Sequence, residues 1–368
     1  MAKRKTLPKD FEAILASGDL AAMKAVFDKC EIDARGGYTK QTALAFACPD
    51  DLTRWLVAQG ADLGAEDAYG ETPLHAHAGT RAGRISTLLE LGAFVNHGES
   101  GRGTPLHCAA RAYKADAAAA LIAAGARATV ANREGQTPLD YALSRCSNIN
   151  IENMVPLSEV LLAAMRDEAK PPASFLNRLL GGAKTVAVMS PERQAEVTRI
   201  GQDFEFSRSA FNPESVDAVS AALDKLYAIF DVTPVPRRAM YDGKTPIKVT
   251  AKAWSDQHDE LWALLVPPQG AAMTQQGEAI RVSGRLHREL EGNGGVNWDS
   301  DFKAMADMLT QIFANGQALP AGELEEARAL TAAVKRKGGD TARLCQLAVE
   351  WVRRNPSPLT MPDAPYSR

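Results

Sequence analysis

The sequence predicts an all-α protein, a helical solenoid over the first half of the chain followed by a mainly helical second domain. Landmark residues recur at a near-constant interval in the first half. Thr42, Thr72, Thr104 and Thr137 stand 30, 32 and 33 residues apart, and Gly-Ala pairs beginning at Gly60, Gly92 and Gly125 stand 32 and 33 apart. Such a period is the signature of stacked helical units. Through most of the second half, apolar residues recur at helical spacing. Strand signals are weak, and residues 184–189 and 247–250 are the only candidates.

The first element is a helix pair without an opening turn motif. Phe11, Ile14, Leu15, Leu20, Met23, Val26 and Phe27 follow a helical pattern broken at Ser17-Gly18-Asp19, which suits a capping repeat whose outer face meets water. The next unit keeps Thr42-Ala43-Leu44 but lacks the proline and histidine, so its register is clear and its turn is not. Two full units open with Thr72-Pro73-Leu74-His75 and Thr104-Pro105-Leu106-His107. Threonine suits the N-cap, and proline fits the first helical position, where its missing N–H is not needed. A second helix then ends at a glycine able to take a left-handed cap. The unit from Thr137-Pro138-Leu139 runs into a polar stretch over residues 144–156, read as an extended inter-helix loop in a distorted last repeat.

These copies resemble the ankyrin-repeat family, in one register over roughly 150 residues, with about five repeats and atypical first and last ones. The resemblance implies an ankyrin-repeat solenoid in which Leu44, Leu74, Leu106 and Leu139 form one buried row. It also implies that His75 and His107 bond neighbouring backbone and are not ligands. His77 departs from the pattern and is either a tolerated polar insertion or part of the concave surface, with the former favoured. Hairpin tips and first-helix faces of this family form a protein-binding surface, which places Tyr38, Lys40, Tyr69, Glu71, Arg102, Tyr113, Arg133 and Glu134 as the partner-binding residues.

The domain assignment is residues 1–169 for the repeats, 170–190 for a linker opened by Lys170-Pro171-Pro172, 191–355 for the helical C-terminal domain and 356–368 for a tail, either disordered or draped. Helices are expected over residues 175–180, 191–211, 213–230, 251–265, 272–290, 301–313, 322–335 and 341–354, with a proline-bearing loop over 231–250.

Charge is balanced, with 18 basic and 19 acidic residues through Arg166 and 24 and 26 after it, so neither half has the basic excess of a nucleic-acid binder. No run of about 20 apolar residues occurs, and no apolar h-region follows the basic start, so a cytoplasmic protein with no membrane contact is expected. Five cysteines without paired spacing argue against a disulfide framework. No nucleophile elbow, phosphate loop or metal-binding motif is present, so no catalytic residue, cofactor or metal is assigned. Asp256, His258, Asp259 and Glu260 are adjacent but point in different directions on a helix.

The densest polar stretch holds Gln276-Gly277-Glu278-Ala279-Ile280-Arg281 and Asn293-Gly294-Gly295-Val296-Asn297-Trp298-Asp299. Over about 45 residues it is similar to a segment found in assorted bacterial proteins, some of them toxin-immunity or ankyrin-linked. Two readings stay open. One is a helix–turn–helix core in which Trp298 plugs a gap and Asp299 or Asp301 caps the next helix. The other is a polar pocket made by Gln276, Glu278, Arg281, Asn297 and Asp299. The functional expectation is a bacterial immunity protein that neutralises a toxin encoded nearby by stoichiometric binding. The alternatives are a C-terminal enzyme recruited to its substrate by the repeats, or an effector delivered into a host cell.

Overall fold

The computed structural model describes residues 2–80, 83–98, 103–169 and 188–367. It is an all-α chain with sixteen helices and one small sheet among the described residues. Two compact units divide it: residues 1–204 with 213–235, and residues 205–212 with 236–368.

The first unit is a solenoid of stacked helical repeats. Strand β1 (Arg4–Thr6) pairs in parallel with β2 (Cys30–Gly36), which pairs antiparallel with β3 (Gln41–Thr42). Helices α1 (Phe11–Ala16) and α2 (Leu20–Lys29) form the expected opening pair. Asp19 caps α2 by accepting from the amides of Ala21 and Ala22 at 2.9 and 3.1 Å. Without proline and histidine, the Thr42 unit forms only a 3₁₀ turn at Ala43–Ala45 before α3 (Asp50–Ala58). The full repeats supply α4 (Pro73–Gly79) with α5 (Ile85–Glu90), and α6 (Pro105–Arg111) with α7 (Ala115–Ala123). The last supplies α8 (Pro138–Arg145) and α9 (Ile151–Glu168). Leu44, Leu74, Leu106 and Leu139 are all buried, as one row requires.

Three expectations are corrected here. The strands lie at β1–β3, while residues 247–250 form none, and 184–187 lie outside the described residues. β1 and β3 are too short to show an alternating pattern. The last inter-helix loop is shorter than residues 144–156, because α9 starts at Ile151 and takes Pro156 into its second turn, at the loss of one helical hydrogen bond. The compact units also divide later than 170–190. The helix α10 (Pro191–Ser207) through Phe204, and α11 (Pro213–Phe230), pack with the repeats. Arg193 supplies the reason. Its Nε donates to Asp140 Oδ1 at 2.6 Å, joining α10 to the helix of the last repeat. Arg199 Nη2 donates to the Leu143 carbonyl at 2.9 Å, placing a cation at the C-terminal end of α8.

The second unit is built around α13 (Gln275–His287), which packs against α12 (Trp254–Leu265), α14 (Ser300–Phe313) and α16 (Thr341–Arg354), with α15 (Ala321–Val334) alongside α14 and α16. The tail is draped. Gln276 Nε2 donates to the carbonyls of Asn355 and Ser357, both at 2.8 Å, and its Oε1 accepts from the Leu359 amide at 3.0 Å. Ser367 bonds Asp301 Oδ2 through its amide at 3.1 Å and its hydroxyl at 2.9 Å. The expected helix over 175–180 lies outside the described residues.

Candidate functional site

The hairpin tips of the first unit are rigid, repeated turns. Asp67 Oδ1 accepts the amides of Tyr69 at 2.8 Å and Glu71 at 3.0 Å, and Asn132 Oδ1 accepts those of Glu134 at 3.0 Å and Gln136 at 2.9 Å. An Asp or Asn in this role substitutes its side chain for a backbone acceptor and fixes the turn. Neighbouring tips are tied together, since the Ala68 amide donates to the Thr39 carbonyl at 2.8 Å.

The buried histidines set the spacing between repeats. The Thr72 and Thr104 amides donate to Nδ1 of His75 and His107, both at 3.1 Å. An N–H can only donate, so Nδ1 is the acceptor and Nε2 carries the proton. Nε2–H then donates to the Gly103 carbonyl at 2.9 Å and the Gln136 carbonyl at 3.0 Å, one repeat further on. Gly103 is required at its position: its φ is +88°, and a Cβ there would stand 2.7 Å from the His107 ring. Burial drives the His75 pKa down to about 4. His77 is the structural insertion favoured from the sequence, with Nδ1 accepting the Arg84 amide at 3.1 Å and Nε2 donating to the Leu44 carbonyl at 2.9 Å. In the last repeat, Asp140 replaces histidine and accepts the Thr137 amide at 3.0 Å. Its other oxygen meets Arg193.

Of the proposed partner-binding residues, Tyr38, Lys40, Tyr69, Arg133 and Glu134 are exposed on tips, and Glu71 is half-buried. Tyr38 is 91% and Tyr69 50% exposed. Tyr113 does not belong with them. It sits in the turn between α6 and α7, at the helix ends opposite the tips, with φ of +54° and its hydroxyl donating to the Ala142 carbonyl at 3.3 Å. Arg102 lies outside the described residues. Phe94, 66% exposed, was missed. Aligning Gly60-Ala61-Asp62, Gly92-Ala93-Phe94 and Gly125-Ala126-Arg127 shows an aromatic residue where sister repeats carry charge.

In the second unit, the five polar residues do not form one pocket. Gln276 holds the tail. Glu278 and Arg281 form a fully buried pair, with Arg281 Nε and Nη2 donating to the two carboxylate oxygens at 2.8 and 2.6 Å. Glu278 also accepts from the Ala272 amide at 2.8 Å and from the Tyr366 hydroxyl. Asn297 is exposed and bonds Glu289, its amide donating at 2.7 Å. Asp299 caps α14 through the amides of Asp301 at 3.0 Å and Phe302 at 3.3 Å. Trp298 is half-buried, not sealed in, and lies flat on Phe302 with centroids 5.0 Å apart and planes 10° apart. Only Arg281 and Asn297 of the five line a common cavity, of about 360 Å³.

Other reactive side chains are occupied. His258 Nε2 lies 3.3 Å from Ser283 Oγ, whereas Glu260 accepts the amides of Thr250 and Ala251, each at 2.9 Å through Oε2, so the two diverge. All five cysteines are buried and unpaired with one another. Burial pushes the Cys48, Cys146 and Cys345 thiols up to about 12, which keeps them from forming thiolates. Among the described residues, no helix is long and apolar enough to cross a membrane.

No family model matches the chain. Among curated proteins, the chain is similar to Ankyrin repeat domain-containing protein 37 of Xenopus tropicalis, at 33% identity over 96 residues. That match covers 26% of this chain and 59% of the relative, less than two thirds of its length.

Proposed function

We propose that the repeat unit is a protein-binding module acting by stoichiometric occlusion, and that the chain works by binding and not by catalysis. The observation that carries this reading is the Asp67-fixed tip, tied to its neighbour by the Ala68–Thr39 bond, which leaves Tyr38 and Tyr69 out in solvent. A rigid turn loses little entropy when its side chain is captured, and tyrosine is among the residues that most often carry interface energy. The similarity to an ankyrin repeat protein supports the same reading. Engaged histidines and thiols raised by burial favour binding over nucleophilic chemistry.

The finer reading is a bacterial-type cytoplasmic immunity protein whose partner is a toxin encoded nearby. It is supported by the resemblance of residues 276–299 to segments of such proteins. The test is a titration of the purified full chain against the product of the neighbouring gene. The expected result is a one-to-one complex and inactivation that reaches completion at equimolar ratio. Complete inactivation at substoichiometric ratio would instead identify an enzyme. Absence of a complex rejects the toxin partner and leaves the binding module to be tested on other proteins.

A further inference from the structure

We propose that the cavity of about 360 Å³ in the second unit binds a small organic phosphomonoester, with the phosphate held between Arg281 and Arg288 and the ring lying against Trp262. Arg281 is the anchor. It is 2% exposed, and its Nε and Nη2 are bonded to Glu278, yet its Nη1 is buried without a hydrogen-bond partner. A buried guanidinium donor left unmade is costly, and native proteins retain few of them. Arg281 also lines the cavity, so a ligand acceptor that reaches Nη1 completes its bonding.

The charges point the same way. Arg281, Arg285 and Arg288 line the cavity with one carboxylate, Glu289, which accepts from the Asn297 amide and from both the Asn293 and Asn297 side chains, and Glu278 behind the wall balances Arg281, so the arginines exceed these carboxylates by one. Among the described residues Arg288 has no carboxylate partner, and its guanidinium lies 5.4 Å from the Trp262 ring centre. Among the described residues Arg238 bonds only the carbonyls of Phe206, Ala263 and Val266, two of which belong to lining residues. Burial holds its pKa below the usual arginine value. The site is therefore a partly desolvated, net cationic cavity.

The geometry favours phosphate over carboxylate. A carboxylate held on the free two-pronged edge of Arg288 would leave Arg281 Nη1 unbonded, whereas an anion with three acceptor oxygens can serve both guanidinium groups. Phe206 and Trp262 stack with centroids 6.4 Å apart and planes 20° apart, giving a flat aromatic wall. A second cavity of about 560 Å³ shares Trp262 and Arg288 and adds Trp254, leaving room for the remainder of the molecule. Volumes of this order and a mixed apolar and polar lining are those of small-molecule sites.

The test is tryptophan fluorescence and calorimetric titration of the full chain with phenyl phosphate, adenosine monophosphate, inorganic phosphate and phenol. Phenyl phosphate and adenosine monophosphate are expected to quench emission saturably. Inorganic phosphate should bind at least about ten-fold more weakly than phenyl phosphate, and phenol without saturation. Arg288→Gln, at an exposed residue with no hydrogen bond among the described residues, should lower phenyl phosphate affinity about ten-fold or more while leaving the melting temperature unchanged. Trp262→Leu should remove the advantage of phenyl phosphate over inorganic phosphate. The proposal is overturned by no saturable binding of any probe, by unchanged affinity in Arg288→Gln, or by equal binding of phenol and phenyl phosphate. A phosphotyrosine peptide bound at least about ten-fold tighter than phenyl phosphate would also overturn it, by placing the phosphate on a partner protein.

Discussion

The two units bury polar groups in opposite ways. In the repeats, the buried histidines are neutral and reach one repeat away, 28 residues forward from His75 to Gly103, 29 forward from His107 to Gln136 and 33 back from His77 to Leu44. In the second unit the buried groups that reach furthest are an amide and a carboxylate, across 79 residues from Gln276 to Asn355 and 88 from Glu278 to Tyr366. The first pattern makes stability a sum of neighbouring terms, as in other solenoids. The second makes the central helix and the tail a single cooperative element, because neither end is satisfied until the whole unit is assembled.

The sharpest way to break this contrast is Glu278→Ala. It leaves Arg281 buried without its counter-charge and strands the Ala272 amide and the Tyr366 hydroxyl, at an expected cost of about 3–5 kcal/mol. Hydrogen exchange should show protection lost together in α13 and the tail. Loss confined to residues 272–281, with the tail amides of Leu359 and Met361 still protected, would show that the unit is not cooperative in this way.

Leu106→Ala is the matching test in the repeats. Leu106 is fully buried in the leucine row, and the cavity should cost about 2–5 kcal/mol. Here the exchange signature should be graded, strongest in α6 and falling with distance through α4 and α8. A change below about 1 kcal/mol would place the row elsewhere.

How far the sequence was legible follows the same division. Local signals were sufficient where the structure is local. Thr72-Pro73 and Thr104-Pro105 start α4 and α6 as read, and α11 and α16 have the expected bounds. What escaped depends on distant partners. Arg193 and Asp140, 53 positions apart, attach α10 to the last repeat, and nothing in either residue's neighbourhood announces the other. Aspartate in the histidine position was the available clue, since a carboxylate there needs a cation that histidine does not. Of the two readings of the polar cluster at 276–299, the pocket fails because closeness in sequence does not bring these side chains together. On α13, successive side chains diverge by about 100°, so Gln276 serves the tail while Glu278 and Arg281 serve each other. The resemblance places Tyr113 on the surface of tips and first-helix faces, but its left-handed turn puts it at the helix ends opposite the tips.

Acid should distinguish the repeats from one another. His75 has an ordinary unfolded pKa of 6.5 and a folded value of about 4, so between these values the unfolded chain binds more protons. Stability therefore falls as pH drops from about 6.5 and levels below about 4, with a loss near 3 kcal/mol for this residue. Burial also lowers His77 and His107, adding in the same direction. Asp140 behaves differently. Burial raises its pKa, but bonds from Arg193 and Thr137 outweigh that and hold it below 3.8, so its contribution persists until the pH falls below that value. Urea unfolding at a series of pH values, read by exchange in α4 and α8, should show α4 weakening first. Simultaneous loss would mean the repeats do not respond as separate neighbours.

The smallest effect on stability is expected where the proposed function is concentrated. Tyr38→Ala with Tyr69→Ala removes two aromatic side chains held in solvent by backbone bonds that do not involve them: the Tyr69 turn is fixed by the Asp67 side chain, and the adjoining tips by the Ala68 amide. Folding should therefore change by no more than about 0.5 kcal/mol, while affinity for a protein partner engaged through the tips should fall by about 2 kcal/mol or more, as expected of aromatic anchors at the centre of an interface. Melting followed by circular dichroism gives the first quantity and calorimetry with the isolated partner the second. Destabilisation above about 1 kcal/mol would show that the tyrosines pack on the solenoid after all. Unchanged affinity would move the contact away from the tips, with Phe94 as the next residue to substitute. Large binding loss with negligible folding loss is the combination that separates a recognition surface from the fold that displays it.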